Sequence, residues 1–233
     1  MESNWRVARR HRRRPRLLLV ERDLGRRATL AVAVGTRYAV ETVATGAEAL
    51  ARAATSHFDL AVLDAGALGA ALPPVVRLLR NRGRAIPIVV IAARRDFRAH
   101  HFAAMLHVDA VLGRRAPAYA VLDRISDLMP VAEHPALVDR RVGRAIDLMA
   151  RDVINLLDVG ALADATGVPL DALADRFRAA TDLTVDEYVT CVRVAVAEQL
   201  LRDTSLEMQT LAELLGFGNA SELARAFAAV SPA

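Results

Sequence analysis

Leu211-Ala212-Glu213-Leu214-Leu215-Gly216-Phe217-Gly218-Asn219-Ala220-Ser221-Glu222-Leu223-Ala224-Arg225-Ala226-Phe227 is the stretch on which the reading of the C-terminal half turns. Leu206, Leu211, Leu214 and Leu215 give one apolar helical face. Gly216-Phe217-Gly218-Asn219 makes a tight turn, and Leu223 and Phe227 face inward from the helix beyond it. Apolar residues at three- and four-residue spacing on both sides of a short glycine-containing turn are the pattern of a helix-turn-helix. Asn219 or Ser221 caps the second helix. The outward face then carries Ala220, Glu222, Ala224 and Arg225, which would point at base edges and phosphates in a major groove.

Working toward the N-terminus, the spacing predicts a long helix over 185–202 and then the same plan again. Leu157, Val159, Leu162 and Ala163 form one face, Thr166-Gly167-Val168 turns, and Pro169 stands where a helix starts. Leu173 and Phe177 face inward, matching Leu223 and Phe227, while Leu170, Asp171, Ala172, Asp175 and Arg176 face outward. A helix over 185–202 is about 27 Å long. A rod of that length can hold two recognition helices in successive major grooves, which recur every ~34 Å along one side of a duplex.

These residues resemble the AraC-type DNA-binding domain over Leu157 to Pro232. The matches are Leu173-x-x-x-Phe177, Tyr188, Arg193, Ala197, Leu200-Leu201 and the whole run 211–227. The resemblance implies a double helix-turn-helix that touches two grooves. Three departures remove positive charge or change an end: Asp175 where the family has Arg, with Arg176 one place along; Asp182 where a helix-ending Gly is usual; and a short Ala228-Ala229-Val230-Ser231-Pro232 tail. Phosphate neutralisation supplies much of protein–DNA affinity, so this half by itself should bind weakly.

The N-terminal half alternates differently. Short apolar runs at 17–20, 38–43, 60–63, 88–91 and 110–112 are separated by helical stretches near 24–34, 46–56, 72–82, 95–105 and 117–129. Five strands alternating with five helices predict a parallel sheet covered on both faces. The fold class is therefore α/β followed by all-α: 1–15 a basic arm, 16–130 the α/β domain, 131–137 a linker marked by His134 and Pro135, and 138–233 the helical domain.

Residues 16–130 resemble the receiver domain of two-component response regulators, a flavodoxin-like (βα)₅ fold. Asp64 closes the third strand in Phe58-Asp59-Leu60-Ala61-Val62-Leu63-Asp64, where a receiver keeps its phospho-accepting aspartate. The rest of the site is altered. Receivers place two acids after the first strand; here they read Glu21 and Arg22, with Asp23 next as a helix cap. The hydroxyl residue after strand four is Ala92, the lysine after strand five is Arg114, and the aromatic on strand five is Val111. A guanidinium beside an aspartate can take a cation's electrostatic role, so Arg22 and Arg114 are expected to hold Asp64 without metal or phosphate. The alternatives are an Arg22 turned to solvent, and residual phosphorylation with Mg²⁺ held by Glu21 alone. The usual receiver dimer face would here include Ala103, Leu106, Val111, Tyr119 and Leu122.

Composition narrows the rest. The chain of 233 residues is 54% hydrophobic but only 4% aromatic, so its cores are built from Ala, Val and Leu. All 31 basic residues are Arg. Residues 1–20 hold seven Arg against Glu2, residues 21–137 fifteen Arg against eleven acids, and residues 138–233 nine Arg against fifteen acids. The acidic C-terminal half is awkward for a DNA binder, and the Arg9–Arg14 arm is the segment that would offset it by lying along phosphates. The single Cys191 excludes a disulfide framework and a multi-thiolate metal site. The apolar run Leu17–Val20 is too short for a signal peptide and no stretch suits a membrane span, so a cytoplasmic location is expected.

Enzyme readings fare poorly. Gly66-Ala67-Leu68-Gly69 lacks the third glycine of a dinucleotide fingerprint. His100-His101 point apart on a helix, and Cys191 has no base arranged beside it. No cofactor is expected. The expectation is a sequence-specific transcription regulator with an atypical, phosphate-independent receiver, with DNA, RNA polymerase and a second copy as partners. The alternatives are an interaction protein that keeps both folds, or a conventional phosphorylated regulator.

Overall fold

The computed structural model describes residues 14–81, 86–129, 139–153 and 159–230. Apart from Arg14 and Pro15, the expected arm lies outside these residues, as do the linker 131–137, Leu157 and the Ser231-Pro232 end.

The α/β half runs β1 (Arg16–Val20), α1 (Leu24–Gly35), β2 (Ala39–Val43), α2 (Gly46–Thr55), β3 (Leu60–Asp64), α3 (Ala65–Leu68), a 3₁₀ turn (Gly69–Ala71), α4 (Leu72–Arg80), β4 (Ile88–Ala92), α5 (Phe97–Met105), β5 (Ala110–Gly113) and α6 (Ala118–Leu128). The sheet is parallel throughout, in the order β2-β1-β3-β4-β5. That is the doubly wound order whose switch point lies at the carboxyl ends of β1 and β3. Strands β3 and β4 are buried end to end, as expected of apolar runs covered on both sides. Successive side chains alternate between faces. Leu17, Leu19, Leu60, Val62, Val89 and Ile91 point to α1 and α6. Leu18, Val20, Ala61, Leu63, Ile88 and Val90 point to the side of α2 through α5.

The helical half comprises α7 (Arg140–Arg151), α8 (Val159–Thr166), α9 (Leu170–Thr181), α10 (Val185–Asp203), α11 (Met208–Leu214) and α12 (Ala220–Val230). The Asp139 carboxylate accepts from the Arg141 and Val142 amides and fixes the start of α7. Thr184 and Glu187 form a reciprocal capping box that starts α10.

The core does not stop between the halves. The cluster on the α1 and α6 side continues through Ile146 and Met149 of α7 into Phe177, Tyr188 and Val192. Helix α1 packs against both α7 and α10. Two glycines permit the approach: a Cβ on Gly25 would overlap the Ala150 carbonyl oxygen, and one on Gly143 would lie 2.5 Å from the Tyr119 Cβ. Polar groups cross the same seam. The Ala118 amide donates to both Asp147 oxygens at 3.0 and 3.1 Å. The buried Arg37 donates from Nη2 to the Ala180 carbonyl at 2.9 Å. The Tyr188 hydroxyl donates to the Thr29 carbonyl inside α1.

This docking corrects the expected dimer face. Tyr119 is covered by α7, with the Arg140 guanidinium 5.5 Å above its ring. Ala103 and Leu122 are core residues, Leu106 is half-buried, and Val111 alone of the five is exposed. A stripe at helical spacing cannot by itself tell a core from an interface; here Leu106 packs on the α/β unit's own core and α7 reaches Tyr119.

Candidate functional site

Asp64 ends β3 and is 1% exposed. Its Oδ1 accepts from the Gly66 amide at 2.9 Å, and the Arg114 Nη1 lies 3.3 and 3.5 Å from the two carboxylate oxygens. Glu21, buried beyond the end of β1, accepts from the Asp23 amide at Oε1 and faces Arg26 Nε at 3.3 Å from Oε2. Arg27 reaches back to donate to the Glu21 carbonyl at 2.6 Å. Burial pushes the Glu21 carboxyl above the usual carboxylate range, against the lowering by the Asp23 amide, and the Asp64 charge adds to the rise.

Arg22 does not join this group. Its side chain is exposed, and the guanidinium at Asp64 belongs to Arg114. The cause is local: the Asp23 carboxylate accepts from the Arg26 amide at 2.8 Å and starts α1 there. That start turns position 26, one helical turn later, toward Glu21 and leaves position 22 outside. Ala92, 1% exposed at the end of β4, brings only a methyl group.

A divalent cation needs several oxygen donors. Both carboxylates here already face guanidiniums, and position 22 supplies a cation instead of a ligand. Among the described residues no group of three or more His, Cys, Asp or Glu is placed to hold a metal. The residues do not fit the Mg²⁺ that a receiver's site implies.

The two helix-turn-helix units present their outward faces unequally. On α9, Leu170 and Asp171 are exposed, but Ala172 is partly buried against the core. Arg176 donates from Nη1 to Asp139 at 2.9 Å, so it is engaged with the cap of α7. Burial pushes the Asp139 carboxyl up, but bonds from Arg176 and from the Arg141 and Val142 amides outweigh it and hold the group below its ordinary value. Arg178, which the residue pattern did not single out, is exposed three places beyond Asp175 on the same face.

On α12, Asn219 is the cap, its Oδ1 accepting from the Glu222 amide at 2.9 Å. The Glu222 carboxylate folds back to the Gly218 amide at 2.7 Å and stays within the turn. Ala220 donates its amide to Gln209 of α11 at 3.1 Å, which ties the two helices together. Ser221, Ala224 and Arg225 are left exposed. Arg193 of α10 braces this turn, its guanidinium 5.9 Å from the Phe217 ring centre. Asp182, where the resemblance expects Gly, takes the left-handed conformation at φ 62° after α9.

Cys191 is half-buried, and burial pushes its thiol up. His100 is exposed and its Nε2 lies 3.2 Å from the Ala93 carbonyl. Among the described residues no helix is long and apolar enough to cross a membrane.

Residues 162–231 match the family model described as a helix-turn-helix domain. Over 91 residues, 39% of this chain, the sequence is 33% identical to a Streptomyces lividans protein described as an AraC-like transcription regulator, and the match spans 30% of that protein. Over 80 residues, 34% of this chain, it is 36% identical to the two-component response regulator PhoP of Pseudomonas aeruginosa, across 36% of that protein. The chain thus spans about a third of the length of these curated relatives. Among solved structures, the non-phosphorylated HemR receiver domain of Leptospira biflexa aligns with 52% of this chain and 98% of its own at 22% identity, with a TM-score of 0.45. A CheY-like receiver domain protein of Methanospirillum hungatei aligns with 48% of this chain and 91% of its own at 19% identity, with a TM-score of 0.43. The chain joins a flavodoxin-like α/β unit, seen in its strand order, to a helix-turn-helix domain at residues 162–231 that is similar in sequence to an AraC-like regulator.

Proposed function

We propose that the chain is a sequence-specific DNA-binding transcription regulator of the cytoplasm whose receiver-like unit works without phosphorylation. The observation that carries this reading is the pair α9 and α12, each with an exposed outward face, joined through the 19-residue α10. At about 1.5 Å per residue that helix is long enough to set two short helices near one groove spacing apart. Arg225 and Ser221 are the candidate base-reading residues on α12 and Leu170 and Asp171 those on α9, while Arg178 is a candidate phosphate contact. The Arg114–Asp64 pair supports control without phosphate, since Arg114 already gives the Asp64 carboxylate the positive partner that a metal ion would otherwise supply. The reading needs no cofactor and no catalytic step. RNA polymerase, and a second copy meeting through the face around Val111, are its protein partners.

One observation favours a second reading, an interaction protein that keeps both folds. Arg176 and Glu222, both on recognition faces, are committed within the chain. A gel shift of the full chain against the DNA upstream of its own coding region, at stated salt, separates the two. Saturable retention that exceeds that of a scrambled duplex supports the regulator; equal and weak retention of both supports the interaction protein. Acetyl-phosphate labelling of wild type and Asp64→Ala tests the control: label on wild type alone would overturn phosphate independence.

A further inference from the structure

A cavity of about 510 Å³ opens at the seam between the two halves, beside the Glu21 end of the receiver-like site. Its walls include Glu21 and Arg26 from the β1–α1 region, Arg114 and Arg115 after β5, and Asp147 and Arg151 of α7. Asp64 does not line it. The acids of this cavity are already serving donors. Glu21 accepts from the Asp23 amide and faces Arg26, Asp23 accepts from the Arg26 amide, and both Asp147 oxygens accept from the Ala118 amide. The arginines are in a different position. Arg26 and Arg114 face Glu21 and Asp64, whereas Arg115 and Arg151 stand exposed from opposite halves, Arg151 in the field of Asp147. A guanidinium has only donors to offer. Four guanidiniums against three carboxylates leave the lining with an excess of positive charge, and Arg115 and Arg151 are its exposed donors.

We infer that this cavity binds a small soluble phosphate or phosphate ester, held between Arg115 of the receiver-like half and Arg151 of the helical half. The guanidinium fork matches phosphate oxygens two at a time, and the volume falls in the range of small-ligand sites, about 300–1,000 Å³. An anion touching both halves binds the docked arrangement and adds to its stability. This goes beyond the DNA-binding reading and does not depend on it.

The test is calorimetric titration of the full chain with inorganic pyrophosphate and with inorganic phosphate, each against chloride at equal ionic strength and with no DNA present. Saturable binding at one site is expected. Arg115→Gln and Arg151→Gln should each weaken it about tenfold or more, the loss of one charge-assisted pair. Arg115→Lys and Arg151→Lys should fall between, and Arg77→Gln, on α4, should change nothing. Asp64→Asn should bind as well as wild type or better. Thermal melts without pyrophosphate check that each variant is folded. No saturable heat beyond chloride overturns the inference, as does wild-type binding by both Gln variants. Loss of binding in folded Asp64→Asn would also overturn it, since the anion would then sit at Asp64. Because DNA is absent, failure here leaves the gel-shift result untouched, and the reverse holds too.

Discussion

Replacing Tyr188 by alanine is expected to unfold the sheet more easily, although the residue lies in the helical half. The ring is fully buried in α10, edge-on to Phe177 with centres 4.9 Å apart, and its hydroxyl reaches the Thr29 carbonyl of α1. Truncating a buried aromatic of this size costs about 3–5 kcal/mol through lost transfer energy and the cavity left behind. Tyr188→Phe removes only the hydrogen bond and costs about 1 kcal/mol. Against a total stability of about 5–15 kcal/mol, the first is a large fraction. The assay is native-state hydrogen exchange of the full chain, read on peptides covering β1 and β3. If the halves share one core, the most protected amides of those strands lose about 3–5 kcal/mol of protection in Tyr188→Ala and about 1 in Tyr188→Phe. Unchanged protection in β1 and β3, with loss confined to α8 through α12, would refute the shared core.

Gly25→Ala should destabilise the chain by about 1–3 kcal/mol in a urea melt, because its methyl group has no room beside the Ala150 carbonyl. In DNA titrations, Arg225→Ala should weaken the preferred duplex by about 1–3 kcal/mol and relax its sequence preference, while Arg178→Ala should weaken all duplexes alike and lower the salt slope by about 1. Deleting residues 2–14, which hold six Arg, should weaken binding and flatten the salt dependence by about 0.9 for each phosphate the arm had neutralised; unchanged affinity and slope would exclude a role for the arm. Burial holds the carboxyls of Glu21 and Asp147 above their ordinary values of 4.5 and 3.8. The unfolded chain therefore loses these protons first as pH rises. The stability they contribute is present below those ordinary values and declines as pH climbs through the raised ones. Urea midpoints of wild type, Glu21→Gln and Asp147→Asn from about pH 4 to about pH 7 should show a shallower decline in each variant.

The parts of this protein that local pattern governs were legible in its residues. Short continuous apolar runs located the five strands, and period-3.6 hydrophobicity the longer helices. Turn chemistry located the Gly216–Asn219 corner, and Asp23 announced itself as a cap by standing just ahead of an apolar-periodic run. The short α3 was not legible, since four residues carry no period and the helix depends on the Asp64 carboxylate meeting the Gly66 amide. The partner of Asp64 was half legible. Arg114 follows β5 and lands at the same sheet end as β3, but Arg22 lies on a bend whose direction is set by the first turn of α1. Arg176 and Glu222 looked free on a helical wheel, which carries no information about Asp139, 37 residues away, or about a backbone amide in the turn.

Order along the chain and the apolar face of each longer element were thus decided by the residues themselves, because both depend on neighbours a few residues apart. Whether the two halves are separate bodies or one core was decided only in three dimensions. Gly25 meeting Ala150, Tyr188 meeting Thr29 and Asp147 meeting Ala118 are contacts between residues far apart in the chain, and no local period encodes which surfaces will meet.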